Sequence, residues 1–385
     1  RPSVSITSSE VNNSSVSDDA SLSLTFTLSE VATDFTVDDI TATGGTIASF
    51  SGSGTNYTAT FTPSGNGQKQ IKVESGKFTD AVGNLNSALS QFVMFSDTTA
   101  PTNQNTVFAN STSNTAGSSI TIVSSGTATN QVWFAPAGTT SFSAGATMTQ
   151  ATSGTATSIV APENEGTYYI YVIDQAGNIS TASTATLTVD NTAPTNQDNV
   201  FPSAAYETVG GTVTIVSSGT ATNQVWIAPA GTSSFSASST MTQADSGTST
   251  SMTAPTAAGT YYIYVIDQAG NVSSASTAAL TVSNAGFTLS TTTGTVTEAG
   301  GTATFTVVLD SRPDSDVVIS VTSADTGEVT VSAANLTFTE GNWNAAQTVT
   351  LTGVDDNVID VDTQTTITMA VVDASSDNNF DALAD

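Results

Sequence analysis

Leu22, Leu24, Phe26 and Leu28 alternate with Ser and Thr, and Tyr57, Ala59 and Phe61 follow the same every-other-residue pattern. Successive side chains of a strand point to opposite faces, so each run predicts a strand with one buried and one wet face. The period of two recurs at 303–309, 317–321, 347–351 and 365–371. The run 167–173 is nearly continuous in aromatic and β-branched residues and closes on the turn sequence Asp174-Gln175-Ala176-Gly177-Asn178, with a partner strand expected at 185–189. Asp80-Ala81-Val82-Gly83-Asn84 closes the first such stretch, before a last strand near 91–95. Trp133 and Trp226 sit in short apolar runs, where two-sheet sandwiches often place a buried aromatic.

These patterns are arranged as a repeat. Thr99-Ala100-Pro101-Thr102-Asn103-Gln104 returns as Thr192-Ala193-Pro194-Thr195-Asn196-Gln197, 93 residues later. At the same offset 122–133 (IVSSGTATNQVW) returns as 215–226, and 166–178 (GTYYIYVIDQAGN) returns unchanged as 259–271. A period of this length suits a seven-stranded sandwich better than a solenoid rung. The predicted organisation is therefore a domain at 1–98, two sister domains at 99–191 and 192–284, and a different sandwich at 285–385. The chain opens at Arg1 in mid-pattern and stops at Asp385 in a polar, loop-like stretch after Val372, so both ends are expected to be cuts in a longer protein, the last domain being truncated at its C-terminal end.

Composition narrows the chemistry. Only five Lys and Arg face 33 Asp and Glu, a net charge of −28, and there is neither His nor Cys. Such a surface repels phosphate backbones, which argues against nucleic acid, and it attracts divalent cations. Disulfides, thiolate chemistry and the usual zinc, haem and iron–sulfur ligand sets are excluded, whereas oxygen-ligated calcium stays open. No apolar run approaches a membrane span, so membrane insertion is not expected. The adjacent pairs Asp18-Asp19 and Asp38-Asp39 point to opposite faces if they lie in strands, and cannot flank one glycosidic bond. No enzyme activity is expected.

Several phrases resemble known families. The linkers SDTTAP and VDNTAP, the Asp-x-x-Gly-Asn turns and the first-domain sequence FTLSEVATDFTVDDITATGGTIASFSGSGTNYTATFTP look like bacterial Ig-like repeats of giant secreted, RTX- or biofilm-type adhesins, over residues 1–284. VTEAGGTATFTVVLD with LTFTEGNWNAAQTVTLTGVDDNVIDVD is similar to Calx-β domains, which are calcium-binding sandwiches. The resemblance implies an all-β fold of four tandem immunoglobulin-like and Calx-β-like sandwiches in an elongated array, outside the cell or on the bacterial cell surface.

Two groups of residues are candidates for calcium. Strands alternate in direction, so in a seven-stranded sandwich the turn between the last two strands lies at the entry end. Asp174 and Asn178 are thereby expected beside Asp97, and Asp267 and Asn271 beside Asp190 and Asn191. Carboxylates, amides and backbone carbonyls there can supply six to eight oxygens, or the same residues can simply make turn hydrogen bonds with no ion. The third linker, Asn284-Ala285-Gly286, offers no carboxylate, and a looser joint is expected after it. In the fourth domain Glu298, Asp325, Asp355, Asp356, Asp360 and Asp362 match acidic positions of the Calx-β pattern, and a density of Asp this high is costly unless a cation bridges it. The alternative there is a solvated acidic loop.

Two further features carry bland readings. Lys69, Lys72 and Lys77 share one hairpin, where solubilising an edge is expected. In Tyr168-Tyr169-Ile170-Tyr171 one parity must face outward, as a sugar-stacking platform or as a half-covered strand surface. The expected role is an extender that adheres to a host, abiotic or neighbouring-cell surface through regions outside this segment, stiffened by calcium. A self-assembling surface-layer or filament subunit and a carbohydrate-binding array that takes glycans are the alternatives. Strands of about ten residues make each domain about 35–45 Å long.

Overall fold

A computed structural model describes residues 1–355 and 361–383. Among the described residues there are 28 strands and very little helix, in two compact units, Arg1–Asn191 and Thr192–Asp385. Each unit holds two main hydrophobic cores that share no residues.

The first core of the first unit lies between a three-stranded sheet (Val4–Ser8, Leu22–Ala32, Gly45–Pro63) and a four-stranded one (Val16–Ser17, Ser90–Ser96, Gly67–Val73, Ile40–Thr43). The predicted alternation sets the register. Leu24 stands opposite Ala59 and Phe26 opposite Tyr57, so the apolar members of both strands point the same way. Ile71, Val73, Phe92 and Met94 meet them from the other sheet. Phe26, Phe35, Phe50, Tyr57 and Phe78 pack mostly edge to face, with ring centroids 5.1–6.4 Å apart.

In the second core a five-stranded sheet (Thr149–Gln150, Gln131–Ala135, Gly166–Ile173, Thr186–Val189, Thr112–Asn114) faces a two-stranded one (Ser158–Val160, Ser119–Thr121). Strand Gly166–Ile173 is central, which explains its continuous apolar run: Ile170, Tyr171, Val172 and Ile173 are buried on both faces. The tyrosine platform is therefore not present in either parity. Tyr168 is buried and donates to Asn164 O (2.8 Å), and Tyr171 is buried under Phe142 with its hydroxyl bonded to Pro136 O and Gly138 N. Trp133 is buried too, but on the outer face of the sheet against Phe142 and Tyr171, and not among the residues between the two sheets. Trp226 repeats this with Phe235 and Tyr264 in a satellite cluster. The long segment after each Trp strand folds back over it, a covering that strand periodicity cannot reveal.

The second unit repeats the same seven-stranded plan with Ala205–Thr208, Leu280–Ser283, Gly259–Ile266, Gln224–Ala228 and Thr242–Gln243 against Thr212–Thr214 and Ser251–Thr253. Its other core lies between Phe287–Leu289, Thr302–Leu309, Gln347–Gly353 and Val329–Val331 on one side and Asn335–Phe338, Val317–Ser323 and Ile367–Val371 on the other. The polar stretch after Val372 is not a loose end within the described residues. It turns into two short 3-10 helices, Asp373–Ser375 and Asn378–Leu383, and carries Phe380 into the core. Asp377 holds it there, accepting from the backbone of Asp314, Ser315 and Asn379.

The lysine hairpin also differs from expectation. Strand Gly67–Val73 is interior to its sheet, and Lys69 is buried, its ammonium donating to Ser64 O (3.0 Å) and Asn66 O (3.3 Å). Lys77 is exposed and Lys72, half-buried, pairs with Glu74 at 2.6 Å.

Candidate functional site

The Asp-x-x-Gly-Asn pentapeptide builds one device three times. In Asp174–Asn178 the Asp174 Oδ1 accepts from the backbone N–H of Ala176 (2.9 Å), Gly177 (3.0 Å) and Asn178 (3.0 Å), and Oδ2 accepts from Asn178 Nδ2 (2.9 Å). Asp80 takes Val82 N (3.0 Å), Asn84 N (2.8 Å) and Asn84 Nδ2 (2.9 Å), and Asp267 takes Asn271 N and Nδ2, both at 2.9 Å. Gly177 makes the tight return possible at φ +107°. Donors aimed at a carboxylate favour the anion, and Asn84 holds the Asp80 carboxyl below its ordinary value.

In the first unit this turn sits where strand alternation places it. Asn178 Nδ2 also donates to the backbone carbonyl of Asp97 (2.9 Å), and a Cβ at Gly177 would stand 3.5 Å from Asp18 Oδ1. Asp174, Asn178 and Asp97 are thus brought together. The linker is fastened on its other side by Asn66, whose Nδ2 reaches Asp97 Oδ1 (2.9 Å) and Thr99 Oγ1 (2.7 Å) and whose Oδ1 accepts from Thr98 N (3.0 Å) and Thr98 Oγ1 (2.9 Å). Asn66 escaped the sequence reading; its place in Gly65-Asn66-Gly67, between two strands, is the ordinary signature of a turn.

The donor set of this joint closes without an ion. Both Asp174 oxygens accept from N–H groups, and Asn178 turns its amino group, not its carbonyl, toward Asp97. Calcium takes oxygen ligands, and as arranged Asn178 offers its amino group to the joint and not its carbonyl, whereas the Asp174 carboxylate accepts N–H bonds without losing its capacity to ligate. Asp190 and Asn191 end the first unit, where Asn191 Oδ1 accepts from Ala116 N (2.7 Å) and Asn191 N donates to Glu165 Oε1 (2.9 Å). Asp267 and Asn271 belong to the second unit.

In the fourth domain the candidate acids come from three segments that meet at one end. The turn holding Glu298 lies against the end of Gln347–Gly353, so close that a Cβ at Gly353 would be 2.2 Å from Thr297 O. Val354 N donates to Glu328 O (2.9 Å), and Asp325 N donates to Thr365 Oγ1 (3.1 Å). Glu298, Asp325, Asp355 and Asp362 are all exposed there, while Asp356 and Asp360 lie outside the described residues. Among the described residues no three acidic groups stand close enough together to hold a metal ion.

The joint after the third domain departs from expectation. Although its linker has no carboxylate, Arg312 Nη1 pairs with Glu207 Oε1 at 2.5 Å, Arg312 Nη2 pairs with Glu340 Oε2 at 2.9 Å, and Thr212 N donates to Asp314 (3.0 Å to Oδ2). It is tied by residues distant from the linker. The available signal was Arg312 itself, the only Lys or Arg after Lys77. The paired carboxylates have local uses: Asp39 closes a capping box with Thr36, and Asp19 accepts from Ser17.

Residues 1–96 match the family model of a bacterial Ig-like domain. The described residues form an all-β chain of two-sheet sandwiches, and its first domain is immunoglobulin-like. No curated protein matches it. Solved structures similar to it include the Bacteroides ovatus mixed-linkage glucan utilization locus protein SGBP-B in complex with a mixed-linkage heptasaccharide, at 15% identity over 89% of this chain and 92% of that one, TM-score 0.18. The S-layer protein rSbsC is 13% identical over 96% of this chain, which spans 52% of its length, TM-score 0.20. The BSP domain of a biofilm associated protein is 12% identical over 73% and 66% of the two chains, TM-score 0.17. Among the described residues no helix is long and apolar enough to cross a membrane.

Proposed function

We propose that this array is an extender segment of a large secreted cell-surface adhesin or biofilm-matrix protein, in which repeated sandwiches add distance and other regions make the adhesive contact. The observation that carries the reading is the repeated entry turn, which in the first unit is clasped to its linker. The same thirteen residues, 166–178 and 259–271, supply the central strand and entry turn of both sister domains, and in the first unit that turn is bonded to the preceding linker. Near-identical neighbours add length without adding a new site.

Calcium belongs to this reading as the stiffening ion, and the fourth domain suits it better than the joints. There, Glu298, Asp325, Asp355 and Asp362 are exposed on segments that meet at one end, although no three of them stand within reach of one ion, in a chain with a net charge of −28. At the joint, Asn178 would have to turn its amide so that oxygen faces an ion. Thermal unfolding of the full chain in millimolar calcium and in excess chelator tests this. A ligand at a hundred times its Kd stabilises by about 2.7 kcal/mol. A calcium-dependent rise confined to the transition of the fourth domain is expected; superimposable melts would remove calcium and leave the hydrogen-bonded clasp as the stiffener.

One observation favours lateral assembly as a second reading. Val123 and Val216, 93 residues apart, are 55% and 52% exposed at the same place in the two sister domains, a periodic apolar feature suited to lattice packing. Sedimentation of the purified chain over a concentration series decides it: a monomer throughout would dismiss assembly through this face.

A further inference from the structure

Within the second unit the third and fourth domains meet over a buried carboxylate. Glu207, in strand Ala205–Thr208, is only 2% exposed. Its Oε1 accepts from Arg312, but its Oε2 is buried with no hydrogen-bond partner, as are the neighbouring hydroxyls of Thr208 and Ser311. Arg312 is shared with Glu340, and Asp314 faces the same place, where it accepts from Thr212 N. Two carboxylates therefore share one guanidinium, with the carboxylate of Asp314 nearby. Tyr206 and Trp343 cover one side with ring centroids 5.8 Å apart, and a cleft of about 400 Å³ lined by Tyr206, Glu207, Ile215, Val216 and Arg312 borders the other.

A buried carboxylate is tolerated when every lone pair is served, and here half of them are not. Neutralising it removes that cost. We propose that the joint between the third and fourth domains is a proton-controlled coupling, in which Glu207 takes up one proton from solvent when the domains dock and releases it when they part. Arg312 keeps its charge and its bond to Glu340 in both states. Burial, the largest influence, pushes the Glu207 carboxyl up to about 7; Arg312 opposes this, while Asp314 and Glu340 add to it.

The sign follows from linkage. A solvent-exposed Glu titrates near its ordinary value of 4.5, so between there and about 7 the docked state binds more protons than the parted one. Docking strengthens as pH falls through this window and is weakest above it. The window is otherwise quiet, because the chain has no histidine. One other acid of the fourth domain, Asp381, is also pushed up, by burial and by Asp373 and Asp377, and serves as the control.

The absence of cysteine allows clean spin labelling of the full chain at S234C in the third domain and A334C in the fourth. Distance distributions at pH 5 and pH 8 are expected to show one narrow population at the lower pH and a second, broader one at the higher, with the ratio of the two changing about tenfold or more. E207Q, which carries the neutral form permanently, is expected to stay narrow at both, and D381N to behave like the parent. Identical distributions at the two pH values in the parent, a pH response that survives in E207Q, or one abolished by D381N would each overturn the proposal. The measurement needs no calcium, so its outcome is independent of the extender reading.

Discussion

Asn178 does two jobs through one amino group. It donates to Asp174 within its turn and to Asp97 O across the joint, whereas Asn84, in the equivalent turn of the first domain, donates to Asp80. Hydrogen bonds to a charged acceptor are worth about 1.5–3 kcal/mol and neutral ones about 1 kcal/mol. Asn178→Ala is therefore expected to destabilise the first unit by about 2–4 kcal/mol, and Asn84→Ala by less, with the difference in urea unfolding reporting the bond across the joint. A second residue-scale prediction concerns acid. Burial is the largest single influence on Glu10 and raises it, but the bonds from Ser8 and Ser23 together outweigh burial and lower it to about 2, against an ordinary 4.5. A depressed carboxylate contributes stability above its unfolded value and loses it as pH falls through the folded one, so the first domain should weaken between about pH 4.5 and pH 2. Glu10→Gln should flatten that slope in a pH series of melts. The turn residues were legible in the sequence because Asp, Gly and Asn each have a local reason to be there. Which oxygen or nitrogen each would present was not, since that depends on what lies across the joint.

At the scale of elements, period-two alternation was sufficient for strands Leu22–Ala32 and Gly45–Pro63 of the first domain. Leu22, Leu24, Phe26 and Leu28 all enter the core, as do Tyr57, Ala59 and Phe61. Phe61→Ala should cost the first domain about 3–5 kcal/mol, read as an early separate transition in calorimetry, because it empties a fully buried site facing the second sheet. Alternation failed where a third layer covers a strand. Trp133 and Tyr171 are buried on the outward face only because the segment through Phe142 folds over them. Lys69 likewise reads as a surface residue, yet it is buried because carbonyls of Ser64 and Asn66 satisfy its ammonium. Phe380, the lone aromatic in a polar stretch, reaches the fourth core because Asp377 anchors the turn before it.

For the whole molecule, the 93-residue repeat is the dominant fact, and it makes the two sister domains near copies in strand order and register. The joints differ more than the domains. One is a clasp of backbone and amide bonds made by a local motif, and the other is a side-chain contact between residues 105 positions apart, Glu207 and Arg312. High salt should leave the first nearly unchanged and affect the second only modestly, because a buried contact is screened little. Spin-label distances at 1 M salt would register a larger change if Arg312 acts as a surface charge.

The sequence by itself determined the all-β class, the repeat spacing, the alternating cores and the position of the Asp-Asn turn at the entry end, since each follows from local propensity and strand direction. Tertiary structure alone decided which side chains cross a joint. It drew Glu207, Arg312, Asp314 and Glu340 together and oriented Asn178 toward a carbonyl, because long-range charge pairing and burial depend on distances that sequence separation does not encode.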